Sequence, residues 1–536
     1  MSGDVRDPGS AATAPAAADE VAGPAWCHAQ RPRWSPSDIG PGVQCATLDV
    51  PLDYADPAGP RITVAVSRRP AGDPSRRRGV LVAFNGGPGG NEGLGLAVSH
   101  RLANTPLAEV YDLVGFDARG YGESTPVFAE TTARRAAFDT RPADDQFALV
   151  AEDMHAAEEG CERAGGTLRR HISTANIARD LDVIRAVLGE ERISYLGWAY
   201  GTYLGSAYGT LFPDRLDRSV LDSCVHPDKL WHGQFRLQAQ AIRANVDAWA
   251  AWTGERHTRF GLGRDAAEVL GAVEELAAKL AVEPVHGVSR TVLDMAVGNG
   301  ATLRPEWTAL ADLVGGLRAG PTSPLAGPAA RAAGDFARHG IRAGTSTAKS
   351  ARARAAVEAE QTAQSLARQG LVSLRPAVLE AVTSEAEWPS DLEAYYADMR
   401  EVRASCPYGY GVMRAMPWVS TFRSAPPVQP AVRVAPGDYP TGLIVQAQND
   451  PLNNAAGAEA MAALLGHRLL VVVDEGGHEI YPELGNAAVN DAVTAYLVDG
   501  VLPPLPRTEV PGTPRPDIAP DSPRPPRAAA SRKEAR

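Results

Sequence analysis

Short apolar stretches rich in Val, Ile and Leu alternate with segments of helical periodicity along most of this chain. This alternation is typical of βαβ units, in which buried parallel strands are joined by helices. We predict strands at Ile62–Val66, Val80–Phe84, Leu113–Phe116, Ile193–Gly197, Ser219–Asp222, Leu443–Ala447 and Leu469–Val473. The pattern indicates the α/β class, with a mostly parallel central sheet flanked by helices. The first strand is expected to be an antiparallel hairpin partner at the edge of that sheet.

A long interval without strands separates Asp222 from Leu443. Helical patterns fill this interval, and the clearest are Leu237–Trp252, Ala266–Leu280 and Asp391–Val402. The layout predicts a helical cap or lid at 229–425, inserted between two parts of an α/β core at 26–228 and 426–502. The two ends, 1–25 and 503–536, have no periodic apolar pattern and are rich in Ala and Pro or in Pro and Arg, so we predict that they are disordered.

Composition narrows the possible partners. The net charge of −11 argues against nucleic acid as a partner. No apolar run is long enough for a transmembrane helix, and the first residues do not resemble a signal peptide, so we expect no membrane partner and a cytoplasmic location. The expected partner is a small-molecule or peptide-like substrate, without a cofactor. The oligomeric state stays open.

The cysteines do not suggest a metal centre. The five residues lack C-x-x-C spacing, which makes a zinc site unexpected and favours reduced thiols. They are Cys27, Cys45, Cys161, Cys224 and Cys406. A pair between Cys27 and Cys45 stays open for a protein that is exported.

The segment Gly197-Trp198-Ala199-Tyr200-Gly201 follows one predicted strand and precedes a helix-like run from Thr202 to Leu211. Apart from its central residue it matches G-x-S-x-G, the sharp strand-to-helix turn that carries the nucleophilic serine of many hydrolases. We call this turn the elbow. Alanine occupies the position of that serine. Because a methyl group cannot attack a carbonyl, the turn is present and the nucleophile is missing.

A glycine-rich turn, Gly86-Gly87-Pro88-Gly89-Gly90, follows the strand Val80–Phe84. Backbone N–H groups of such a turn can bind a substrate oxygen, which is how an oxyanion hole is built. A phosphate site is the alternative, but the turn lacks the spacing and the Lys-Ser/Thr of a P-loop. Glu92 beside the turn is either a catalytic acid or base or a solvated loop carboxylate.

Two further residues complete the candidate chemistry. Asp450 follows the strand Leu443–Ala447, and His478 lies just beyond the strand Leu469–Val473. Taken singly, each fits a structural turn residue. Together they follow the elbow in the order nucleophile, acid, histidine, which predicts a general base, His478, oriented by Asp450.

From Trp26 to Pro503 the chain resembles the actinobacterial tripeptidyl and prolyl aminopeptidases of the α/β-hydrolase superfamily. Besides the glycine turn, the motifs that carry the resemblance are Cys45–Tyr54, Asp117-x-Arg119-Gly120, Thr202–Gly205 with Leu211–Pro213, Val220–Ser223 and Ala492–Gly500. The resemblance implies an α/β-hydrolase fold with an inserted helical cap and peptide, ester or amide hydrolysis through Ser–His–Asp. By position, Ala199 would replace the nucleophile. The oxyanion hole would be formed by the Tyr200 N–H together with Gly86 and Gly87.

Three interpretations follow from the missing serine. The chain is an enzyme that uses His478 and Asp450 without covalent catalysis, for example in tailoring a small metabolite or peptide-like substrate in secondary metabolism. Alternatively, it is a serine hydrolase or aminopeptidase inactivated by an engineered Ser-to-Ala change. The third interpretation is a catalytically dead binding or scaffold protein. The joint presence of Asp450 and His478 favours an enzyme.

Overall fold

A ten-stranded sheet forms the centre of the computed structural model, which describes residues 25–88, 95–339 and 359–521. The order of its strands is β1-β2-β3-β5-β4-β7-β8-β10-β11-β12. Their bounds are β1 Ser35–Pro36, β2 Gln44–Pro51, β3 Arg61–Arg69, β4 Gly79–Phe84, β5 Tyr111–Phe116, β7 Ile193–Trp198, β8 Leu216–Asp222, β10 Leu443–Ala447, β11 Arg468–Val473 and β12 Arg507–Pro511. The strands from β5 to β12 in that order pair in parallel, and those from β1 to β5 pair antiparallel.

All the strands predicted from apolar runs are confirmed, but the first one is not at the edge. β3 lies between β2 and β5 and pairs antiparallel with both. The strand β2, which lies beside it in the sheet, alternates buried and exposed residues over 46–50. Because one face of β2 meets solvent, its sequence contains polar residues and is less conspicuous than a central parallel strand.

Helices pack on both faces of the sheet and form the cap. Those before the cap are α1 Ala25–His28, α2 Val98–Arg101, α3 Leu107–Val110, α4 Phe147–Arg169, α5 Thr174–Val187 and α6 Tyr200–Leu211. Those in the cap interval are α7 His232–Gly254, α8 His257–Phe260, α9 Ala266–Val282, α10 Arg290–Thr302, α11 Trp307–Arg318, α12 Ala326–His339, α13 Val378–Thr383 and α14 Leu392–Ser405. Residues 359–368 are also helical. After the cap come α15 Ala455–Leu465 and α16 Ala487–Thr494.

The cap helices have a hydrophobic core of their own, centred on the buried indoles of Trp249, Trp252 and Trp307. Several of these helices begin after a residue whose side chain binds a free backbone N–H of the first turn. At the start of α9, for example, the Asp265 carboxylate accepts a hydrogen bond from the Glu268 N–H. A small antiparallel pair, β6 Phe128–Glu130 and β9 Leu374–Pro376, joins the cap to the core. The exact boundaries of the cap stay a prediction.

The prediction of a disordered tail over 503–536 is wrong for its first part. β12 pairs in parallel with β11, and Leu469 N–H donates to the Pro506 carbonyl at 2.9 Å. An edge strand needs only backbone hydrogen bonds on one side, so its side chains can be polar and give no apolar signal. The chain then continues along the cap, where the Arg256 guanidinium donates to the Ile518 carbonyl at 2.7 Å. The predicted disorder at 1–24 and 522–536 falls outside the described residues.

The cysteines of the structure are free thiols, Cys27 and Cys45 included. Burial raises the pKa of the Cys27 and Cys224 thiols to about 12, so neither is a reactive thiolate. Within the described ranges, no helix has both the length and the apolar character that crossing a membrane requires.

Candidate active site

Ala199 lies at the tip of a sharp turn between β7 and α6, with φ 51° and ψ −117°. This backbone conformation is rare outside glycine and costs about 1–3 kcal/mol for a residue with a side chain. The turn is closely packed: a Cβ added at Gly201 would lie 2.4 Å from the Phe84 carbonyl oxygen. The sharp strand-to-helix turn that the sequence predicts is therefore present in the structure.

Hydrogen bonds hold the elbow without any contribution from the side chain of Ala199. Its N–H donates to the Asp222 carbonyl at 3.0 Å. Its carbonyl accepts from the N–H of Thr202 at 2.9 Å and from the Thr202 hydroxyl at 2.6 Å. The conformation is consequently fixed by the end of β8 and the first turn of α6, whichever side chain stands at 199.

The glycine turn after β4 lies directly against the elbow. A Cβ added at Gly86 would lie 2.4 Å from the Ala199 Cβ and 3.4 Å from the backbone nitrogen of Tyr200. Tyr200 is the first residue of α6, where backbone N–H groups lack partners within the helix and the helix dipole is positive. Gly87 follows with φ 126°. The close approach of this turn to the start of α6 is the arrangement that an oxyanion hole needs.

His478 and Asp450 are brought together from two loops at the carboxyl ends of β10 and β11. The His478 Nδ1 lies 2.8 Å from Asp450 Oδ2 and 3.0 Å from Oδ1. Both side chains are buried, at 2% and 0% exposure. Asp450 Oδ1 also accepts from the N–H groups of Leu452 and Asn453, which fixes the carboxylate in place. A carboxylate on Nδ1 leaves Nε2 as the nitrogen that exchanges protons.

Asp222 and Ser223 hold the histidine loop from the end of β8. Asp222 accepts from the N–H groups of Ile480 and Tyr481 at 3.1 and 2.7 Å. The Ser223 hydroxyl accepts from the Glu479 N–H at 2.8 Å. Burial raises the pKa of Asp222 to about 7, and these N–H bonds oppose the rise. Sequence reasoning used these residues only as a family motif; their position after a strand next to the elbow was the available signal.

The side chain of Tyr200 connects the elbow to the cap. Its hydroxyl lies 2.7 Å from Thr174 Oγ1, and Thr174 donates from Oγ1 and N to the two oxygens of Glu385 at 2.8 and 2.7 Å. Burial raises the pKa of Glu385 to about 7, although the bonds from Thr174 act in the opposite direction. Glu385 of the cap is thus connected to the elbow through Thr174 and the Tyr200 hydroxyl.

Not every residue that the sequence analysis named falls within the described part of the chain. Glu92, Gly89 and Gly90 are outside the described residues, so the interpretation of Glu92 as an acid or base stays a prediction. Arg119 forms a fully buried ion pair with Asp180 at 2.6 Å and also donates to the carbonyls of neighbouring loops. Arg119 therefore braces the loops below the site and does not point into it.

Comparison with known proteins identifies the family of this chain. The family described as alpha/beta hydrolase fold matches residues 79–483. The tripeptidyl aminopeptidase of Streptomyces lividans is 32% identical over 483 residues, which cover 85% of this chain and 82% of that protein. Serine protease Hip1 of Mycobacterium tuberculosis is 27% identical over 479 residues, covering 86% of each chain.

The chain belongs to the α/β-hydrolase family, in the group related to tripeptidyl aminopeptidases. Solved structures with similarity to it include a proline iminopeptidase of Mycobacterium smegmatis, with a TM-score of 0.35 and 15% identity, covering 85% of this chain and 98% of that one. A proline iminopeptidase-related protein of Thermus thermophilus has a TM-score of 0.34 and 14% identity, covering 88% and 100%.

Proposed function

We propose that this protein is an α/β-hydrolase-fold enzyme in which His478, oriented by Asp450, acts as a general base on a small or peptide-like substrate without a covalent intermediate. The observation that supports it is the fully assembled His478–Asp450 pair next to an elbow that carries alanine. Burying a histidine and a carboxylate costs desolvation energy that their hydrogen bonds offset only in part, and an imidazole oriented in this way is suited to proton transfer.

The missing hydroxyl determines which chemistry is available. In serine proteases, loss of the serine lowers turnover by about 10⁶-fold and leaves only about 10³-fold over water. Attack by Ala199 is impossible, so acyl transfer to the protein is not the proposed reaction. The base must act directly on the substrate or on a water molecule.

The proposed step is a proton transfer to Nε2 of His478. The proton comes from a substrate C–H group next to a carbonyl, or from a substrate O–H group or a water molecule whose oxygen then adds to a carbonyl carbon. The electron pair moves to the carbonyl oxygen, giving an enolate or a tetrahedral oxyanion. The N–H of Tyr200 and the turn at Gly86 and Gly87 stabilise that negative charge, and the Asp450 carboxylate stabilises the imidazolium. His478 returns the proton to the leaving group or product.

The names of the relatives support a peptide-like substrate. An aminopeptidase and a protease are among the similar proteins, and both match this chain through its cap as well as its core. We extend the substrate class to small metabolites with a comparable carbonyl group. The cytoplasmic location remains part of the proposal.

A turnover assay tests the proposal. The native chain is incubated with a panel of aminoacyl and peptidyl esters, anilides and lactones, and products are followed by mass spectrometry. We expect turnover that His478→Ala abolishes and that Ala199→Gly retains, because the side chain at 199 takes no part in the reaction. Equal turnover in the native and His478→Ala chains would contradict the proposal.

A second buried histidine supplies the matched control. His467 lies before β11, where its Nδ1 accepts from the Gly442 N–H at 3.1 Å and burial lowers its pKa to about 4. His467→Ala removes a buried imidazole outside the catalytic site. Loss of turnover in His478→Ala but not in a folded His467→Ala chain assigns the effect to the base.

A further inference from the structure

The last part of the described chain, residues 512–521, runs from the edge of the sheet to the cap. We call this segment the strap. At its start, the Gly512 N–H donates to the Val473 carbonyl at the end of β11, at 2.9 Å. At its end, the Asp521 N–H donates to the Glu255 carbonyl just after α7 of the cap, at 2.7 Å. The strap is therefore attached at both ends, although it contains no helix or strand.

The middle of the strap joins the cap to the residue that follows β11. The Arg515 guanidinium donates to both carboxylate oxygens of Asp474, at 2.6 and 2.8 Å. It also lies over the Trp307 ring, 4.9 Å from the centroid, and Ile518 packs against the hydrophobic core of the cap. The strap consequently links the cap to the first residue after β11, four positions before His478.

Glu475 connects the strap to the backbone next to His478. One of its carboxylate oxygens, Oε1, accepts from the Gly477 N–H at 2.8 Å, and Gly477 directly precedes His478. The other oxygen, Oε2, accepts from the N–H and the hydroxyl of Thr513, at 2.9 and 2.6 Å. A single carboxylate thus bridges the strap and the residue before His478.

The backbone of Glu475 also reaches the loop that carries Asp450. Its carbonyl accepts from the Asn449 N–H at 2.9 Å, and Asn449 directly precedes Asp450. Glu475 is buried, at 4% exposure, so close packing limits how far it can shift. A displacement of Glu475 would therefore act on both members of the pair formed by His478 and Asp450.

The loop that carries His478 is closely packed against the strap and against the cap. A Cβ added at Gly512 of the strap would lie 3.0 Å from the Glu475 Cβ. A Cβ added at Gly476 would lie 2.4 Å from the Thr302 carbonyl oxygen at the end of α10. Because the loop has little space to move, its hydrogen bonds to the strap determine where His478 stands.

We propose that Glu475 is a positioning residue for His478 and that the strap holds Glu475 in place through Thr513. Hydrogen bonds to a carboxylate are stronger than those between neutral groups, so the two donors of Thr513 fix the orientation of Glu475. Its Oε1 then fixes the Gly477 N–H, and with it the contact between His478 and Asp450. The effect on catalysis rests on the proposed function, whereas the attachment of the loop to the strap does not.

A restored nucleophile makes the position of His478 measurable, so the test uses chains that carry Ala199→Ser. Glu475 is buried and makes three bonds, whereas Thr513 is half-buried on the strap, so the substitutions are made at Thr513. Thr513→Val removes the hydroxyl that is bonded to Glu475 and keeps the shape of the side chain. Thr513→Ser keeps the hydroxyl.

The readout is the rate of labelling by a fluorophosphonate, followed by intact mass. A shift of about 1 Å in a catalytic group can cost about 10²-fold, and we expect Thr513→Val to lower the limiting rate at saturating probe by about tenfold. The probe concentration that gives half of this rate should stay unchanged, and Thr513→Ser should label as its parent does. A Thr513→Val chain that labels at the parent rate, or a Thr513→Ser chain as slow as Thr513→Val, overturns the proposal.

Thr508 provides the matched control. It lies on β12, five residues before Thr513, and its hydroxyl has no hydrogen-bond partner among the residues that the structure describes. Thr508→Val is therefore the same substitution at the same edge of the sheet, without loss of a bond to Glu475, and it should label as the parent does. A Thr508→Val chain as slow as Thr513→Val would assign the effect to general destabilisation and overturn the proposal.

Hydrogen exchange separates a failure of this proposal from a failure of the general-base proposal. In the chain with alanine at 199, the bond to Glu475 protects the Gly477 N–H, and exchange of the peptide that contains Gly477 is followed by mass spectrometry. Thr513→Val should speed this exchange by about tenfold, and Thr508→Val should not. Unchanged exchange in Thr513→Val overturns the proposal. Faster exchange together with an unlabelled Ala199→Ser chain contradicts the general base but supports the attachment of the loop by the strap.

Discussion

Two turns meet at the end of β8: the elbow at Ala199 and the loop that carries His478, which we call the histidine turn. They differ in which of their catalytic groups are present. At the histidine turn, backbone and side chains are both in place: Asp222 and Ser223 hold the loop, and His478 is bonded to Asp450. The elbow keeps its strained backbone at Ala199 but has a methyl group where a hydroxyl would act. Because Asp222 contacts both turns, the geometry of the elbow survives independently of its nucleophile. This chain therefore has the histidine and the aspartate of a catalytic triad, which transfer protons, but lacks the nucleophile, which forms the covalent bond.

The largest expected effect comes from removing the base in a chain that carries a restored serine. In an Ala199→Ser background, His478→Ala should lower the rate of labelling by a fluorophosphonate by at least about 10³-fold, since the serine then has no base. Labelling is measured by intact mass, with His467→Ala as the control. A rate that is unaffected by His478→Ala would separate the two turns functionally and contradict the account.

Blocking the contact between the glycine turn and the elbow should have the next largest effect. Gly86→Ala places a Cβ 2.4 Å from the Ala199 Cβ, so the turn must move away from the start of α6. We expect labelling of the Ala199→Ser chain to fall by about 10²-fold, as for loss of an oxyanion donor. Gly271→Ala tests the general effect of exchanging a glycine for alanine, because Gly271 lies in α9 with open space around it and, like Gly86, has no positive φ. Similar labelling rates in the two variants would argue against an oxyanion role for the turn.

The free energy of unfolding should depend on pH through Asp222, which holds the histidine turn in place. Its pKa is raised from 3.8 to about 7 in the folded chain, so the folded state holds the proton more tightly than the unfolded state. The protonated Asp222 contributes fully to the free energy of unfolding below about pH 4. This contribution falls by about 1.4 kcal/mol per pH unit as the pH rises from about 4 to about 7. Asp222→Asn should flatten this slope in urea unfolding measured across the interval. An unchanged slope would show that Asp222 does not titrate there.

The smallest effect is expected at the elbow itself. Ala199→Gly relieves the positive-φ strain of about 1–3 kcal/mol. It also destabilises the folded chain by about 0.5–1 kcal/mol, because glycine has more backbone freedom to lose on folding. We therefore expect a net stabilisation of about 1 kcal/mol in urea unfolding. A destabilisation would mean that the methyl group of Ala199 makes packing contacts that outweigh the strain.

The features of the fold and the site that depend on local sequence patterns could be predicted. The central strands follow from runs of apolar residues, and the elbow, Asp450 and His478 follow from turn motifs at strand ends. β12 escaped prediction because an edge strand such as Arg507–Pro511 needs no apolar face. The role of Asp222 depends on which groups meet it in three dimensions, namely the backbone N–H groups of Ile480 and Tyr481, and no local pattern reports that.

The most direct test of the central claim is fluorophosphonate labelling of Ala199→Ser beside the native chain, followed by intact mass. The account predicts one added phosphonyl group on the variant and none on the native chain, because it holds that His478 and the oxyanion turn can act on a hydroxyl at residue 199. A folded Ala199→Ser chain that stays unlabelled would contradict the account and favour a binding protein without catalytic activity.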